Sequence, residues 1–562
     1  MILGGEGNDI ETDLDGADVL KGGPGNDALD GGPGDDIFMG GDGKDVILGG
    51  ANDNESFAGP GTDFVNAGQG ADAVFGDDGD DWIQGGSGQD LLQGDHGAPF
   101  FDDPAQTAPG NDVFVGQVGE NDYDAEGGDD LMAQNPAIDR NAGAAGFDWA
   151  FHQYDTTGAD DDMKINQVLV GLPIQLVVNR DRWQETEADS GSPFNDIIHG
   201  DAMERVVGPG GFSGCDALDP TGVARITNLG RLVNTFPSSL ADIFTASISG
   251  YCPLRGFGGT PSNISSGTVW AEGNVLLGGL GSDLIEGRGN DDIIDFDHML
   301  TVGLSVHSAN PDGSEGPEIG RTDLLEHGPV SIAGVPAGNF GPNTDGMTLQ
   351  QAVFAGKVDP GNIELIREIG MTDTNGITPA VTAATRAPDC GPIAPHTLQT
   401  TVVQGQQIVT QFAGDYVNLA STTNCDTSLY STPFFNSDGT ITGNYTVEAN
   451  ADGSVTVTDT AFAAAADIFA KGDGIDTLWN AENLRFCTAN DAVTKNCTTW
   501  QDISVPNAIT ATQTGTVPVA GGPAAPVAAL SLTTLGFAPR ALPAGASAPL
   551  TVTLSNTGGS SL

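Results

Sequence analysis

The sequence predicts an all-β fold built on a parallel β-solenoid, and three observations predict it. Ten nonapeptides run without a gap from Gly4 to Gln93, beginning GGEGNDIET, DLDGADVLK, GGPGNDALD, GGPGDDIFM. Nine of the ten carry aspartate at the sixth position, at Asp9, Asp18, Asp27, Asp36, Asp45, Asp63, Asp72, Asp81 and Asp90, with Asn54 as the exception. Positions seven to nine are short β-forming triplets such as VLK, IFM and VIL, with a bulky residue at position eight that can point inward. A strict period of this kind is the signature of stacked repeats that contact only their neighbours.

Each part of the nonapeptide has a physical reason. Glycines crowd the first four positions because a turn this tight needs backbone angles that a Cβ disfavours. Two nonapeptides supply two turns and two strands, one full coil. Residues 4–93 then make five coils, about 24 Å tall at roughly 4.8 Å per stacked strand. One edge stacks Asp9, Asp27, Asp45, Asp63 and Asp81; the other stacks Asp18, Asp36, Asn54, Asp72 and Asp90. Carboxylates one strand spacing apart repel unless a cation lies between them. Calcium, a hard ion that takes six to eight oxygens from carboxylates and carbonyls, suits the pattern.

The motif GGxGxDxUx, with U a large apolar residue, resembles the RTX (haemolysin-type) calcium-binding repeat. The resemblance implies a parallel β-roll with ions held between successive turns of one edge. The implied ligands are the nine aspartates above with Asp112, Asp130, Asp283 and Asp292 from later repeats. Turn carbonyls such as those of Gly23, Gly25, Gly32, Gly34, Gly41 and Gly43 complete the shell. Five turns per edge leave four gaps, hence up to eight ions in the first block. Asn54 is neutral, and its turn has Asn52 in place of glycine, so the gaps on either side of it are expected to bind weakly or stay empty. Family resemblance also implies export, with type I secretion machinery as a partner and an extracellular destination.

Composition points the same way. The chain has 562 residues and a net charge of −58, and residues 1–93 hold 21 acids against only Lys21 and Lys44. Such a surface is a poor partner for nucleic acid or anionic membranes and a good one for divalent cations. No run of some eighteen apolar residues occurs, so no membrane insertion is expected. The first repeat starts directly after Leu3 with no secretory signal and no capping repeat, and the chain reads as a fragment of a larger extracellular protein. Six cysteines suit an oxidising compartment; Cys215/Cys252, Cys390/Cys425 and Cys487/Cys497 are the simplest of fifteen pairings.

Seven segments follow. Residues 1–135 are the calcium-binding roll, interrupted by DHGAPFFDDPAQ and resumed with Asp112, Asn121 and Asp130 at the sixth position. Residues 136–201, with AAGFDWAFHQYD and QETEADSGSPFNDIIHGD, resemble a non-calcium coil that continues the solenoid, Asp196 standing in the equivalent place. Residues 202–267 are an inserted lobe with helical apolar spacing around VARITNLGRLVNTF, bracketed by Cys215 and Cys252. Residues 268–297 form a second repeat block with Asn274, Asp283 and Asp292 nine apart. Residues 298–505 are β-rich, with a short helix at TLQQAVFAG and a hairpin in NYTVEANADGSVTVTDT. GDGIDTLWNAENLRF resembles the segment that closes RTX regions. Residues 506–528 read as a linker, and 529–562 as the start of an immunoglobulin-like β-sandwich.

The order of these motifs also resembles the region after the catalytic domain of bacterial animal-type haem peroxidases. That implies haem only in a domain upstream. The chain has no HExxH and no GxSxG. Its seven histidines are scattered singly, with His298 and His307 remaining as axial-ligand candidates by elimination. No catalytic residues are assigned, and the presence of enzyme activity is left open. Three readings stand: a secreted calcium-binding roll that folds after export, the tail of a secreted haem peroxidase, and a cell-surface adhesion stalk of unassigned ligand.

Overall fold

The eighteen-residue coil period sets the whole architecture. In the computed structural model Ile2 pairs with Leu20, and Ile10 with Ala28, all in parallel. The structure describes residues 1–95, 110–200 apart from 145 and 164–180, 218–232 apart from 219, most of 274–370, and shorter stretches between 397 and 514. Alternate triplets build two facing sheets. One has nine strands, from Ile2–Leu3 through Val19–Lys21 and Leu91–Gln93 to Arg182–Gln184. The other has fourteen, from Ile10–Thr12 through Trp82–Ser87 to Ile293–Asp295, and then three strands of the C-terminal region. The protein is therefore mostly parallel β-sheet with few helices, an all-β roll.

Position eight lies between the sheets. Leu20, Leu29, Phe38, Ile47, Val65, Val74, Ile83, Leu92, Phe114, Tyr123 and Met132 form one buried apolar column. The insertion after Asp95 leaves the pairing intact, because Trp82 pairs with Val113 and Leu91 with Asp122. The roll also continues through Trp149–Phe151 and Ala188–Ser190. A third sheet of six strands starts at Asp160–Asp162 and runs through Ile197–His199 and Leu284–Glu286.

The region from 298 onwards divides in two. Strands Met299–Ala309, Glu315–Thr322 and Ile363–Gly370 form an antiparallel sheet. With helix Leu349–Phe354, started by a Thr348/Gln351 capping box, this lobe packs on the outer face of the fourteen-stranded sheet. One core joins Ala28, Val46, Phe64, Trp82, Val113 and Leu131 to Leu300, Val302, Leu325, Leu349, Val353 and Ile363. Polar contacts fix the seat: Glu326 accepts from Gln84 (2.8 Å) and Gln117 (2.5 Å), and Lys44 pairs with Glu364 at 2.5 Å. The later part prolongs the roll instead. Thr427–Tyr430, Asn483–Asn490 and Cys497–Ser504 extend the six-stranded sheet. Ile475–Trp479 joins the fourteen-stranded sheet and carries the hairpin of Tyr445–Ala449 and Val455–Asp459.

One boundary needs correction. The expected linker 506–528 overlaps helix Val505–Thr514, whose Val505, Ala508 and Ala511 are buried in the C-terminal core. Alanine and threonine density suggested a spacer there, but alanines three apart make a helical stripe narrow enough to dock. Short helices Pro220–Arg225 and Leu229–Leu232 lie where helical spacing was expected, with Arg225 paired to Asp129. Cys487 is disulfide-bonded. The pairings expected at Cys215/Cys252 and Cys390/Cys425, the stretch 164–180 and the 529–562 module lie outside the described residues.

At position seven the two faces differ. Trp82 is fully buried under the lobe, with its indole N–H on Gln84 Oε1 at 2.8 Å, whereas Leu91 on the other face is half-buried. Trp82→Ala is expected to cost about 3–5 kcal/mol of unfolding free energy in calcium, and Leu91→Ala no more than about 2. Denaturant unfolding of the two variants side by side tests the difference; equal losses would mean the lobe adds nothing to the roll.

Candidate metal centre

Each sixth-position aspartate of the first block sits at the end of a turn, just before its strand, and from Asp27 on one edge and Asp36 on the other its Oδ1 is committed to the backbone. It accepts the N–H of the sixth residue one coil earlier. On the first edge Asp9 donates to Asp27 at 2.8 Å, and Asp27 to Asp45, Asp45 to Asp63 and Asp63 to Asp81 at 2.7 Å. The series crosses the insertion: Asp81 donates to Asp112 (2.7 Å), Asp112 to Asp130 (2.6 Å) and Asp130 to Asp148 (2.8 Å). The second edge repeats the arrangement from Asp18 through Asp36, Asn54 and Asp72 to Asp90. Oδ2 is different. In Asp9, Asp27, Asp36, Asp45, Asp63, Asp72, Asp81, Asp90, Asp112, Asp130 and Asp148 it is buried and meets no protein donor among the described residues. Asp18, at the open end of its edge, instead meets the Met1 ammonium at 3.3 Å.

A buried carboxylate oxygen without a donor is costly in its charged form. Burial, and then the neighbouring carboxylates, hold Asp45 and Asp90 up to about 7 and Asp72 up to about 6. Asp63, Asp81, Asp112 and Asp130 are pushed well above the usual carboxylate range, by burial first and by adjacent aspartates second. A cation between the turns supplies what the protein withholds.

The turn carbonyls complete the donor set, and the glycines make room for them. A Cβ on Gly25, Gly43 or Gly61 would lie 2.1, 1.8 or 1.6 Å from the carbonyl oxygen of Gly7, Gly25 or Gly43, one coil earlier. Position-four carbonyls therefore point into the gap between coils. On the first edge the position-two carbonyls of Gly23 and Gly41 also accept no backbone hydrogen bond among the described residues. The second edge differs. Gly32 O takes the Ala51 N–H at 3.2 Å and Gly50 O takes the Gln69 N–H at 2.8 Å, because the third turn residues pair as a β-ladder there. Of the six carbonyls expected as ligands, Gly32 is thus already engaged. The oxygens present fit calcium best along the first edge.

Asn54 breaks the column in three ways. Its amide carries no charge, and its Nδ2 donates to the Asn52 carbonyl at 2.9 Å, occupying the position-four oxygen of its own turn. Asn52 keeps the left-handed turn (φ 81°) but places a Cβ where the other turns have none. Past Asp90 the second edge closes with amides: Asn135 donates to Gly119 O at 3.1 Å and to Asp139 Oδ2 at 2.8 Å. The 268–297 block offers fewer ligands than the first. Asp283 stacks on Asp196, whose Oδ1 and Oδ2 already accept from Ser192, and Asp292 stacks on Asn274.

Sequence reading missed Asp148, which extends the first edge with the same buried Oδ2. Its signal was present: Asp148 stands eighteen residues after Asp130, inside GFDWAF. The two histidines singled out for haem lie in different settings. His298 Nδ1 lies 2.8 Å from Asp295, and His307 bonds Gly316 O through Nδ1 and Ser305 through Nε2.

Residues 3–38, 12–47, 30–65, 57–92, 75–98, 101–132 and 271–297 match the family model described as RTX calcium-binding nonapeptide repeat (4 copies). No curated protein and no solved structure matches the chain.

Gly43 and Gly5 separate the cradle from backbone strain. Both have positive φ, 139° and 117°, but a Cβ on Gly43 strikes a carbonyl while one on Gly5 meets nothing within 4 Å. Gly43→Ala is expected to weaken calcium binding by roughly tenfold or more, about 1.4 kcal/mol, and Gly5→Ala markedly less. Isothermal titration of both variants with calcium measures this, and equal losses would refute the cradle.

Proposed function

From the RTX calcium-binding nonapeptide repeats that the chain carries, we propose that residues 1–135 are a calcium-loaded β-roll that folds after export from the cell. One observation carries the reading: from Asp27 onwards a column of aspartates bonds the backbone through Oδ1 and keeps a buried Oδ2 with no protein donor among the described residues. The ions bridge successive turns through Asp9, Asp27, Asp45, Asp63, Asp81, Asp112 and Asp130 on the first edge. On the second they use Asp18 with Asp36 and Asp72 with Asp90. Because the folded chain binds the ions and the loose chain does not, binding free energy becomes folding free energy. Extracellular calcium modules have dissociation constants of about 10⁻⁴–10⁻³ M. Such sites stay empty in cytosol and fill outside, so the chain is loose during secretion, by a type I route, and rigid afterwards.

The alternative parent, a secreted animal-type haem peroxidase with its catalytic domain outside these residues, is supported by motif order alone. A haem absorption band in the protein isolated from its source would favour it. No helix among the described residues is long and apolar enough to cross a membrane.

Circular dichroism of the chain during calcium titration, with magnesium as control, tests the folding switch. A cooperative rise in β signal near millimolar calcium is expected, and a flat response refutes the reading. Asn54→Asp is expected to add up to two ions per chain and to lower the calcium midpoint. Unchanged stoichiometry would mean that the gaps flanking Asn54 are already filled.

Acid should partly replace calcium. The folded metal-free chain holds protons on Asp45 and Asp90 up to about 7, whereas the ordinary value is 3.8. Folded carboxylates with raised values add stability below about pH 4, and that stability is lost as pH rises towards 7. With calcium chelated, more β signal is expected near pH 4 than near pH 8. A chain equally unfolded at both would show that these aspartates do not oppose folding.

A further inference from the structure

We propose that His152, Asp161 and Asp189 form a second, separate metal site, selective for a zinc-type divalent ion over calcium. Nε2 of His152, one carboxylate oxygen of Asp161 and one of Asp189 lie within 4.8 Å of one another, and all three side chains are buried. His152 Nε2 is 2.5 Å from Asp161 Oδ2 and 3.6 Å from Asp189 Oδ1. Nε2, Asp161 Oδ2 and both oxygens of Asp189 are buried and have no geometrically formed hydrogen bond among the described residues. One nitrogen and carboxylate oxygens of two aspartates are thus gathered in one buried place.

The other side of the imidazole is built as a ligand's is. His152 Nδ1 bonds Asp155 Oδ2 at 2.8 Å, which fixes the ring and turns Nε2 towards the two carboxylates. A carboxylate behind the histidine is the usual support of a metal-bound imidazole. The main chain is held as well, by the His152 N–H on Ser190 O at 2.9 Å. A protonated imidazolium without any ion could serve Asp155 and Asp161, but it has no third N–H for Asp189, whose carboxyl is pushed well above the usual range by burial and then by Asp161. Imidazole with carboxylates suits zinc and its first-row neighbours, whereas the all-oxygen turns suit calcium. A tetrahedral ion with bonds of about 2.1 Å separates its ligands by roughly 3.4 Å. The Asp189 distance already matches this, and Asp161 has to withdraw by about 0.9 Å.

The place of the cluster in the roll supports the assignment. Asp161 and Asp189 are the middle residues of strands Asp160–Asp162 and Ala188–Ser190. In most other coils that inward position is apolar, as at Leu29, Ile47, Val65 and Met132. Here one carboxylate enters from the fourteen-stranded sheet and the other from the first strand of the six-stranded sheet. The two meet at the joint where the second face of the roll passes from the nine-stranded sheet to the six-stranded one. An ion at this point ties the two sheets together in a coil where apolar packing gives way to charge.

The test uses the full chain folded in saturating calcium, so that the aspartate columns are occupied. Zinc is added, the protein is desalted in calcium, and bound zinc is counted by elemental analysis. Cobalt is titrated in parallel as a spectroscopic probe of nitrogen and carboxylate ligation. The expected result is one zinc per chain and a visible cobalt band that saturates at one equivalent and is displaced by zinc. His152→Gln should abolish both, and Asp155→Asn should weaken zinc binding by roughly 10–100-fold. Calcium-loaded wild type that retains no zinc and develops no cobalt band overturns the proposal. So does a His152→Gln chain that binds zinc as well as wild type. If that variant does not fold, the wild-type stoichiometry and spectrum decide the matter alone.

Discussion

From Asp27 to Asp148 on one edge of the roll and from Asp36 to Asp90 on the other, the aspartates give one oxygen to the backbone of the previous coil and keep the other buried, with no donor among the described residues. The first oxygen locks each coil onto its neighbour in eighteen-residue register. The second makes that register unfavourable at neutral pH until a cation arrives. Coil stacking, the raised carboxylate values and the need for glycine in the turns all follow from this division within one side chain. An asparagine in the same place shows the alternative: Asn54 bonds Asp36 N–H through Oδ1 but satisfies its other end with its own turn carbonyl. Asn54 stays in register without needing an ion, and it offers little to one.

The roll is not symmetric about its axis. Its nine-stranded face carries half-buried position-seven residues such as Val19, Ile37 and Leu91, while the other face is covered by the lobe of residues 299–370. Covering one face buries Phe64, Trp82 and Val113 and converts a thin two-layer roll into a three-layer structure. Two layers of triplets enclose little apolar area, so this added layer supplies stability that does not depend on calcium. The turns also differ between edges, because a β-ladder through Pro33, Ala51 and Gln69 consumes carbonyls that the other edge leaves to the gap.

Where the nonapeptide consensus fades, polar side chains replace the ions. Asn135 and Ser192 supply the donors that calcium would otherwise make unnecessary, at Asp139 and Asp196. The solenoid runs on past the first repeat block, through Ala188–Ser190 to Ile293–Asp295 and the C-terminal strands, with such polar donors set among its aspartates.

The sequence by itself determined the roll, its register and most of the aspartates that line its turns, because a nine-residue phase acts locally: each position has one job, repeated beside its copy eighteen residues away. The missed Asp148 obeyed that phase but departs from the consensus at Ala144 and Ala150, where glycine and a large apolar residue are expected. Tertiary structure decided what the phase cannot encode. Residues 299–370 could have lain on either face, and the choice rests on the unbroken apolar row of Val46, Phe64, Trp82, Val113 and Leu131 on one face, where the other carries Glu55, Asp122 and Arg140 at the same position, a contrast that emerges once alternate repeats are assigned to opposite sheets. The helix at Val505–Thr514, and the meeting of His152, just past strand Trp149–Phe151, with Asp161 and Asp189, depend on contacts that the nonapeptide phase does not encode. Local pattern carries information about neighbours in a ladder, and only packing brings together side chains that no period relates.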